Sequence, residues 1–218
     1  MSLYIDIHTH KTPVRQAGVL SMRSVLVKGA ETAFPEGFYS AGIHPWDASR
    51  AQDEWLDVFA SGDAGLVAVG ETGLDYREQY EPYQAQLEWF EKQVGIAEKL
   101  GLPVVIHNVR AQGDILKTLK GRDIGWVIHG FTGGPESAQT LVDAGGYVSF
   151  GEGLFHSDRT AGALRAIPSG RIFFETDESD MRIADIYGKA AEILNMSEKS
   201  LKERIEDNFR NVFTRAAL

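Results

Sequence analysis

The stretch Asp6-Ile7-His8-Thr9-His10 puts two imidazoles at positions i and i+2. In an extended strand such side chains point the same way, which offers both to one cation. Further along the chain Glu71, His107, His129 and Asp177 each follow a short apolar run. Six groups with metal-ligand chemistry exceed the four that one tetrahedral zinc takes. They predict two divalent cations roughly 3.5–4 Å apart, sharing a carboxylate and activating a water for attack near neutral pH. Glu71 is expected to bridge the pair. Asp177 is expected to ligate one cation and to accept the proton of the attacking water. Imidazole-rich ligation favours zinc, manganese, iron or nickel over magnesium, which prefers oxygen. Taken singly these residues say little: a histidine at a strand end is more often a hydrogen-bonded structural residue, and Asp177 alone reads as a helix cap. The weight lies in six of them at five strand ends.

Something must bring those ends together. Eight short runs, mostly apolar, read as strands: Leu3–Ile7, Arg23–Val27, Phe38–Ile43, Leu66–Gly70, Pro103–Ile106, Gly125–Ile128, Tyr147–Phe150 and Arg171–Phe174. Several are apolar on both faces, as buried parallel strands are. Helical periodicity runs between them, over Gln79–Leu100, Glu136–Ala144, Asp185–Leu194 and Ser197–Asn208. In the first of these Tyr83, Leu87, Phe90, Val94 and Ala97 form an apolar stripe, and Gly101 is placed to end the helix. The alternation predicts an α/β protein, a TIM-type (β/α)8 barrel, with a doubly wound open sheet as its rival. In a barrel the strand C-termini converge on one face. A single barrel domain over residues 1–218 is expected.

Composition narrows the setting. The 218 residues contain no cysteine, which excludes disulfides and thiolate ligands and leaves any metal to imidazoles and carboxylates. No apolar run approaches the length of a membrane span, and Met1–Asp6 has neither the basic nor the apolar part of a signal peptide, so a cytoplasmic protein is expected, away from membranes. The formal charge of -9 argues against extended coating of duplex DNA, although two divalent cations would add about four positive charges locally.

The motifs also resemble those of the TatD-like metal-dependent hydrolases. They are Asp6-Ile7-His8-Thr9-His10, Gly42-Ile43-His44-Pro45, Gly70-Glu71-Thr72-Gly73-Leu74-Asp75-Tyr76, Leu102–His107, His129–Gly133, Tyr147–Phe150, Glu175-Thr176-Asp177 and the closing Asn208–Phe213. They occur in family order over essentially the whole chain. The resemblance implies a TIM-type barrel of the metallo-hydrolase superfamily and Mg-, Mn- or Zn-dependent hydrolysis of DNA, on ends or single strands. It implies the same ligand set, His8, His10, Glu71, His107, His129 and Asp177. It further implies that His44 faces a substrate phosphate and that Asp75 supports the site by holding a ligand histidine or the loop.

The departures bear on the substrate. Val109 stands where the family usually has an arginine, and Arg110, one residue later, is the candidate replacement. Glu178-Ser179-Asp180-Met181 replaces the usual Ala-Pro-Tyr-Leu and adds acid where a phosphate would approach. These changes keep two alternatives in view: hydrolysis of a small ester, amide or phosphate by the same chemistry, and a metal-binding scaffold without turnover. His156 reads as a surface loop residue, and Trp46 as rim packing with a capacity to stack on a base.

Overall fold

A computed structural model describes residues 2–12, 16–77 and 82–216. Its strands are β1 (Tyr4–Thr9), β2 (Val19–Leu26), β3 (Tyr39–Gly42), β4 (Leu66–Asp75), β5 (Val104–Val109), β6 (Trp126–Ile128), β7 (Tyr147–Phe150) and β8 (Ile172–Phe174). They form one sheet in chain order, β1 to β8, with parallel pairing. A parallel bridge between Thr9 and Asp177 joins the chain just past β8 to the end of β1. The helices are α1 (Tyr83–Leu100), α2 (Gln112–Leu119), α3 (Pro135–Asp143), α4 (Gly153–His156), α5 (Asp158–Ala166), α6 (Ile183–Leu194) and α7 (Glu198–Val212). Strands in chain order with helical crossovers make the TIM-type β/α barrel topology. No described helix is long and apolar enough to cross a membrane.

Contacts cluster into two compact units, residues 1–23 with 128–212 and residues 24–127 with 213–218. In the first unit Ile5, Ile7, Phe150, Phe173 and Phe174 are fully buried. Each such side chain contributes roughly 1.5–3 kcal/mol of transfer free energy. Two polar side chains then fix strand positions. The buried Tyr187 hydroxyl of α6 donates to the Ile5 carbonyl and accepts from the Ile5 N–H, both at 3.1 Å. Asn208 of α7 donates to the carbonyls of Ser169 and Ile172 at 2.9 Å, setting the start of β8.

The second unit is organised by α1 against β4. Phe90, Val94 and Ala97 are buried to 0% exposure, and Gly101 closes the helix at φ 64°. The predicted first turn from Gln79 falls partly on residues 78–81, outside the described residues; the described helix begins at Tyr83.

Several strand boundaries differ from the sequence reading, for one recurring reason. β2 begins at Val19, four residues before the predicted Arg23, because Ser21, Arg23 and Ser24 interrupt its apolar pattern. β4 continues past the predicted Gly70 to Asp75, and all ten of its residues are buried. β5 runs on through His107 to Val109. Glu71, Asp75 and His107 therefore lie within strands rather than after them. Helices α2 and α5 have no counterpart among the expected elements. Ser157 caps α5, its side chain accepting from the Thr160 N–H.

Candidate metal centre

In the first unit the His-x-His pair ends β1. Pairing of β1 with β2 runs from Asp6 opposite Ser21 to Thr9 opposite Arg23, three steps against two, so β1 carries one extra residue beside His8. Such a bulge turns side chains out of strict alternation. The rings of His8 and His10 meet edge to face at 5.0 Å, and His8 stacks on His129 at 4.1 Å.

Asp177 is brought to this pair by its backbone. Its N–H donates to the His8 carbonyl at 2.9 Å, and its carbonyl accepts from the His10 N–H at 3.2 Å. Its φ of 52° is in the left-handed region, which aspartate tolerates better than most residues. Asp177 Oδ1 then stands 3.7 Å from His8 Nε2 and 3.6 Å from His10 Nε2. These separations are too long for hydrogen bonds. They are close to the ~3.4 Å expected between two ligand atoms that sit ~2.1 Å from one tetrahedral cation. His8, His10 and Asp177 thus fit a divalent metal by spacing and by chemistry, and His129, Glu175 and Asp177 form a second convergent group.

Around them two buried carboxylates hold the backbone. Asp6 accepts from the Thr176 N–H at 3.0 Å and the Thr176 hydroxyl at 2.7 Å, fixing the residue before Asp177. Burial pushes its carboxyl up to about 7, against the pull of those bonds. Glu175, at 0% exposure, accepts from the Gly130 N–H and lies 3.5 Å from His129 Nδ1. Burial would raise its carboxyl, but the adjacent imidazoles of His129 and His8 outweigh that and hold it below the ordinary range. A cavity of about 370 Å³ opens here, lined among others by Gly130, Thr132, Gly151, Glu152, Asp177 and Glu178.

In the second unit β4 and β5 supply a different cluster. Val69 pairs with Val104 and Thr72 with Ile106, again three steps against two, so the extra residue lies at Gly70–Glu71. The strands approach so closely that a Cβ on Gly73, at φ 138°, would lie 2.2 Å from the His107 carbonyl oxygen. Only glycine fits there. Glu71 Oε1 is 2.7 Å from His107 Nδ1 and 3.2 Å from His44 Nε2. His44 Nδ1 accepts the Trp46 N–H at 3.2 Å, which leaves the ring proton of neutral His44 on Nε2, donating to Glu71. His44, Glu71 and His107 are close enough together to hold one ion.

Asp75 stands behind that group. Its Oδ2 is 3.3 Å from His107 Nε2 and accepts the Trp46 Nε1–H at 2.9 Å, while Arg77 binds both its oxygens. Burial acts to raise the Asp75 carboxyl, but the bonds from His107, Arg77 and Trp46 prevail and keep it well below the usual carboxylate range. A carboxylate on the far nitrogen of a ligand histidine fixes its ring and raises its basicity. Two buried glutamines of α1 hold the strand ends. Gln86 accepts from the Asp75 N–H and donates to its carbonyl, at 2.7 and 2.9 Å. Gln93 does the same at Ile43 and also donates to Thr72 Oγ1 at 2.6 Å.

Gln86, Gln93, Asp6 and Glu175 are not among the site residues expected from the sequence. A glutamine inside an amphipathic helix carries no signal of burial, whereas Glu175 follows the run Ile172–Phe174 directly and had the same signal as the chosen ligands. Among the nominated residues, Arg110 is exposed and has φ 58° at the end of β5. His156 is exposed at the end of α4. Asp180 pairs with Lys11, and Glu178 lines the cavity.

Comparison with known proteins places the chain in a family. Residues 7–214 match the sequence profile of the family described as TatD related DNase. The chain is 31% identical over 216 residues to the Escherichia coli protein named uncharacterized metal-dependent hydrolase YcfH, covering 90% of this chain and 79% of that protein. It is 33% identical over 161 residues to a Citrobacter koseri protein named 3'-5' ssDNA/RNA exonuclease TatD, covering 70% of this chain and 62% of that protein. Against a Bacillus subtilis metal-dependent hydrolase, YabD, the match spans 58% of the relative's length. The crystal structure of the TatD homolog YJJV from Escherichia coli superposes with a TM-score of 0.82 at 22% identity, covering 96% of this chain and 97% of that one. At that identity the likeness establishes the fold.

Proposed function

Because this chain belongs to the TatD-related DNase family, we propose that it hydrolyses phosphodiester bonds in single-stranded nucleic acid, working from DNA ends or within single strands with two divalent cations. One cation, of zinc, manganese or magnesium, is assigned to His8, His10 and Asp177, with His129 beside them. The other is assigned to Glu71 and His107. Cations so held supply neutralisation of phosphate charge and a more acidic water. The observation that carries the reading is the 3.6–3.7 Å spacing of Asp177 from two imidazoles that β1 presents side by side.

The chain's own groups then have distinct tasks. Asp177, locked by two backbone hydrogen bonds to β1, takes the proton of the attacking water. Asp75 orients His107 through its far nitrogen. His44 donates to Glu71 and so holds that carboxylate in place, beside the phosphate contact that family resemblance implies for it. Arg110 remains the candidate contact to a phosphate.

The test is a 5′-labelled single-stranded oligodeoxynucleotide incubated with metal-loaded protein, with and without chelator. Shortening that stops on chelation is expected. A protein that leaves the oligonucleotide intact yet hydrolyses chromogenic esters or amides would overturn the nuclease reading in favour of a small substrate, for which the acids Glu152 and Glu178 in the cavity are a suitable lining.

A further inference from the structure

We propose that Trp46 and Arg77 form a nucleotide platform in the second unit, the indole stacking on an unpaired base while the guanidinium meets its phosphate. This rests on the nuclease reading above and names the contact by which a single strand would be held. Trp46 follows His44-Pro45 and is 43% exposed, one of three large hydrophobic side chains so exposed among the described residues. A lone exposed ring is ordinary. What distinguishes this one is how firmly, and to what, it is held.

The indole Nε1–H is bound by Asp75, the carboxylate that also binds Arg77 and abuts His107. One buried acid therefore sets an exposed indole, a half-exposed guanidinium and a candidate ligand histidine in a fixed relation. The Trp46 ring centre lies 6.1 Å from that of His107 and 6.0 Å from the Arg77 guanidinium carbon. It also packs edge to face on His44 at 4.6 Å. A base seated on the indole thus has the Arg77 guanidinium next to it and the candidate ligand His107 within about one nucleotide.

The chemistry selects unpaired bases. Stacking on an aromatic ring is open to every base through its π-face and is tolerant of sequence, but a base within a duplex already has both faces covered. An indole held in position beforehand loses little freedom on binding. Arginine adds a charge-assisted contact to phosphate, in a chain whose net charge of -9 gives little general attraction to nucleic acid.

Trp46 can be watched directly. Of the four tryptophans, Trp89 and Trp126 are buried and Trp55 is half-buried, so Trp46 is the one most exposed to a ligand. Chelated protein is titrated with an oligothymidylate and with an abasic oligonucleotide of equal length and charge, following tryptophan emission and, independently, fluorescence anisotropy of the labelled strand. Saturable quenching by oligothymidylate, and much weaker binding of the abasic strand, are expected. Trp46→Ala should weaken oligothymidylate binding about 5- to 150-fold, the range for loss of one base–aromatic stack. It should leave binding of the abasic strand nearly as in wild type, and in the metal-loaded enzyme raise KM more than it lowers kcat. Trp46→Phe, which keeps a ring but loses the bond to Asp75, should retain most of the affinity, and circular dichroism verifies that both variants fold. If Trp46→Ala binds oligothymidylate as wild type does, or if wild type binds both strands equally, the platform is wrong while the nuclease reading stands. If wild type neither binds nor cleaves either strand but hydrolyses small esters, both readings fall.

Discussion

The two candidate clusters use the same residue types in opposite ways. At the end of β1, Asp177 and the two histidines of the first unit stand 3.6–3.7 Å apart, a spacing that a shared cation would satisfy. In the second unit the pairs are drawn to hydrogen-bond distance, with 2.7 Å from Glu71 to His107 and 3.2 Å to His44. A cation entering there must break the close contacts between its ligands. The difference teaches that equal ligand chemistry need not mean equal readiness: the first cluster is set by backbone bonds that hold ligands apart, the second by side-chain bonds that hold them together.

The most severe break of this contrast is Asp177→Asn. It removes a ligand charge and the proton acceptor at once, and should lower hydrolysis on the order of 10³-fold or more. Activity within tenfold of wild type would contradict both roles. Next, calorimetric titration of metal into the chelated protein should show two steps. His10→Ala should abolish the tighter one and Glu71→Gln the weaker, and the opposite assignment would invert the comparison. The weaker step should tighten as pH rises, since protons and a cation compete for the same imidazole and carboxylate atoms.

A smaller effect is expected from Asp75→Asn. Removing the carboxylate behind His107 should weaken the second step roughly 10- to 100-fold and leave the first in place; equal weakening of both would show that the two clusters are not independently supported. The variant also has an acid signature. Hydrogen bonds hold the Asp75 carboxyl below its ordinary 3.8 in the folded protein. Its contribution to stability is therefore full above that value and is lost as pH falls below it. In chelated protein Asp75→Asn should flatten the acid limb of a stability-against-pH curve measured by urea unfolding.

The contrast also explains what could be read from the residues beforehand. β6, β7 and β8 are short apolar runs, and the expected positions stand within a residue of those observed. β4 and β5 were foreshortened because Glu71, Thr72, Asp75, His107 and Asn108 look like loop polarity, yet Glu71, Thr72 and Asp75 are buried within strands. Candidate ligands are visible because histidines and carboxylates repeatedly follow apolar runs. Their supports are not. Gln86 and Gln93 become polar anchors only once α1 packs on β4, and nothing local distinguishes them from solvent-facing glutamines. The link from Trp46 to Asp75 spans 29 residues and has no periodic signature. Likewise the bulges beside His8 and Glu71 arise from a mismatch between two strands, which neither strand shows by itself.

One consequence follows from the backbone bonds between Asp177 and β1. They join groups separated by 167 to 169 positions, since Asp177 meets both His10 and His8. On a ribosome adding about 5–20 residues per second, the histidines of β1 wait roughly ten to thirty seconds for their carboxylate partner. During that interval the candidate ligands His8 and His10 are two of an unfinished set, too few to retain a cation firmly. On the assignment proposed above, metal capture is thereby deferred until most of the chain has been made.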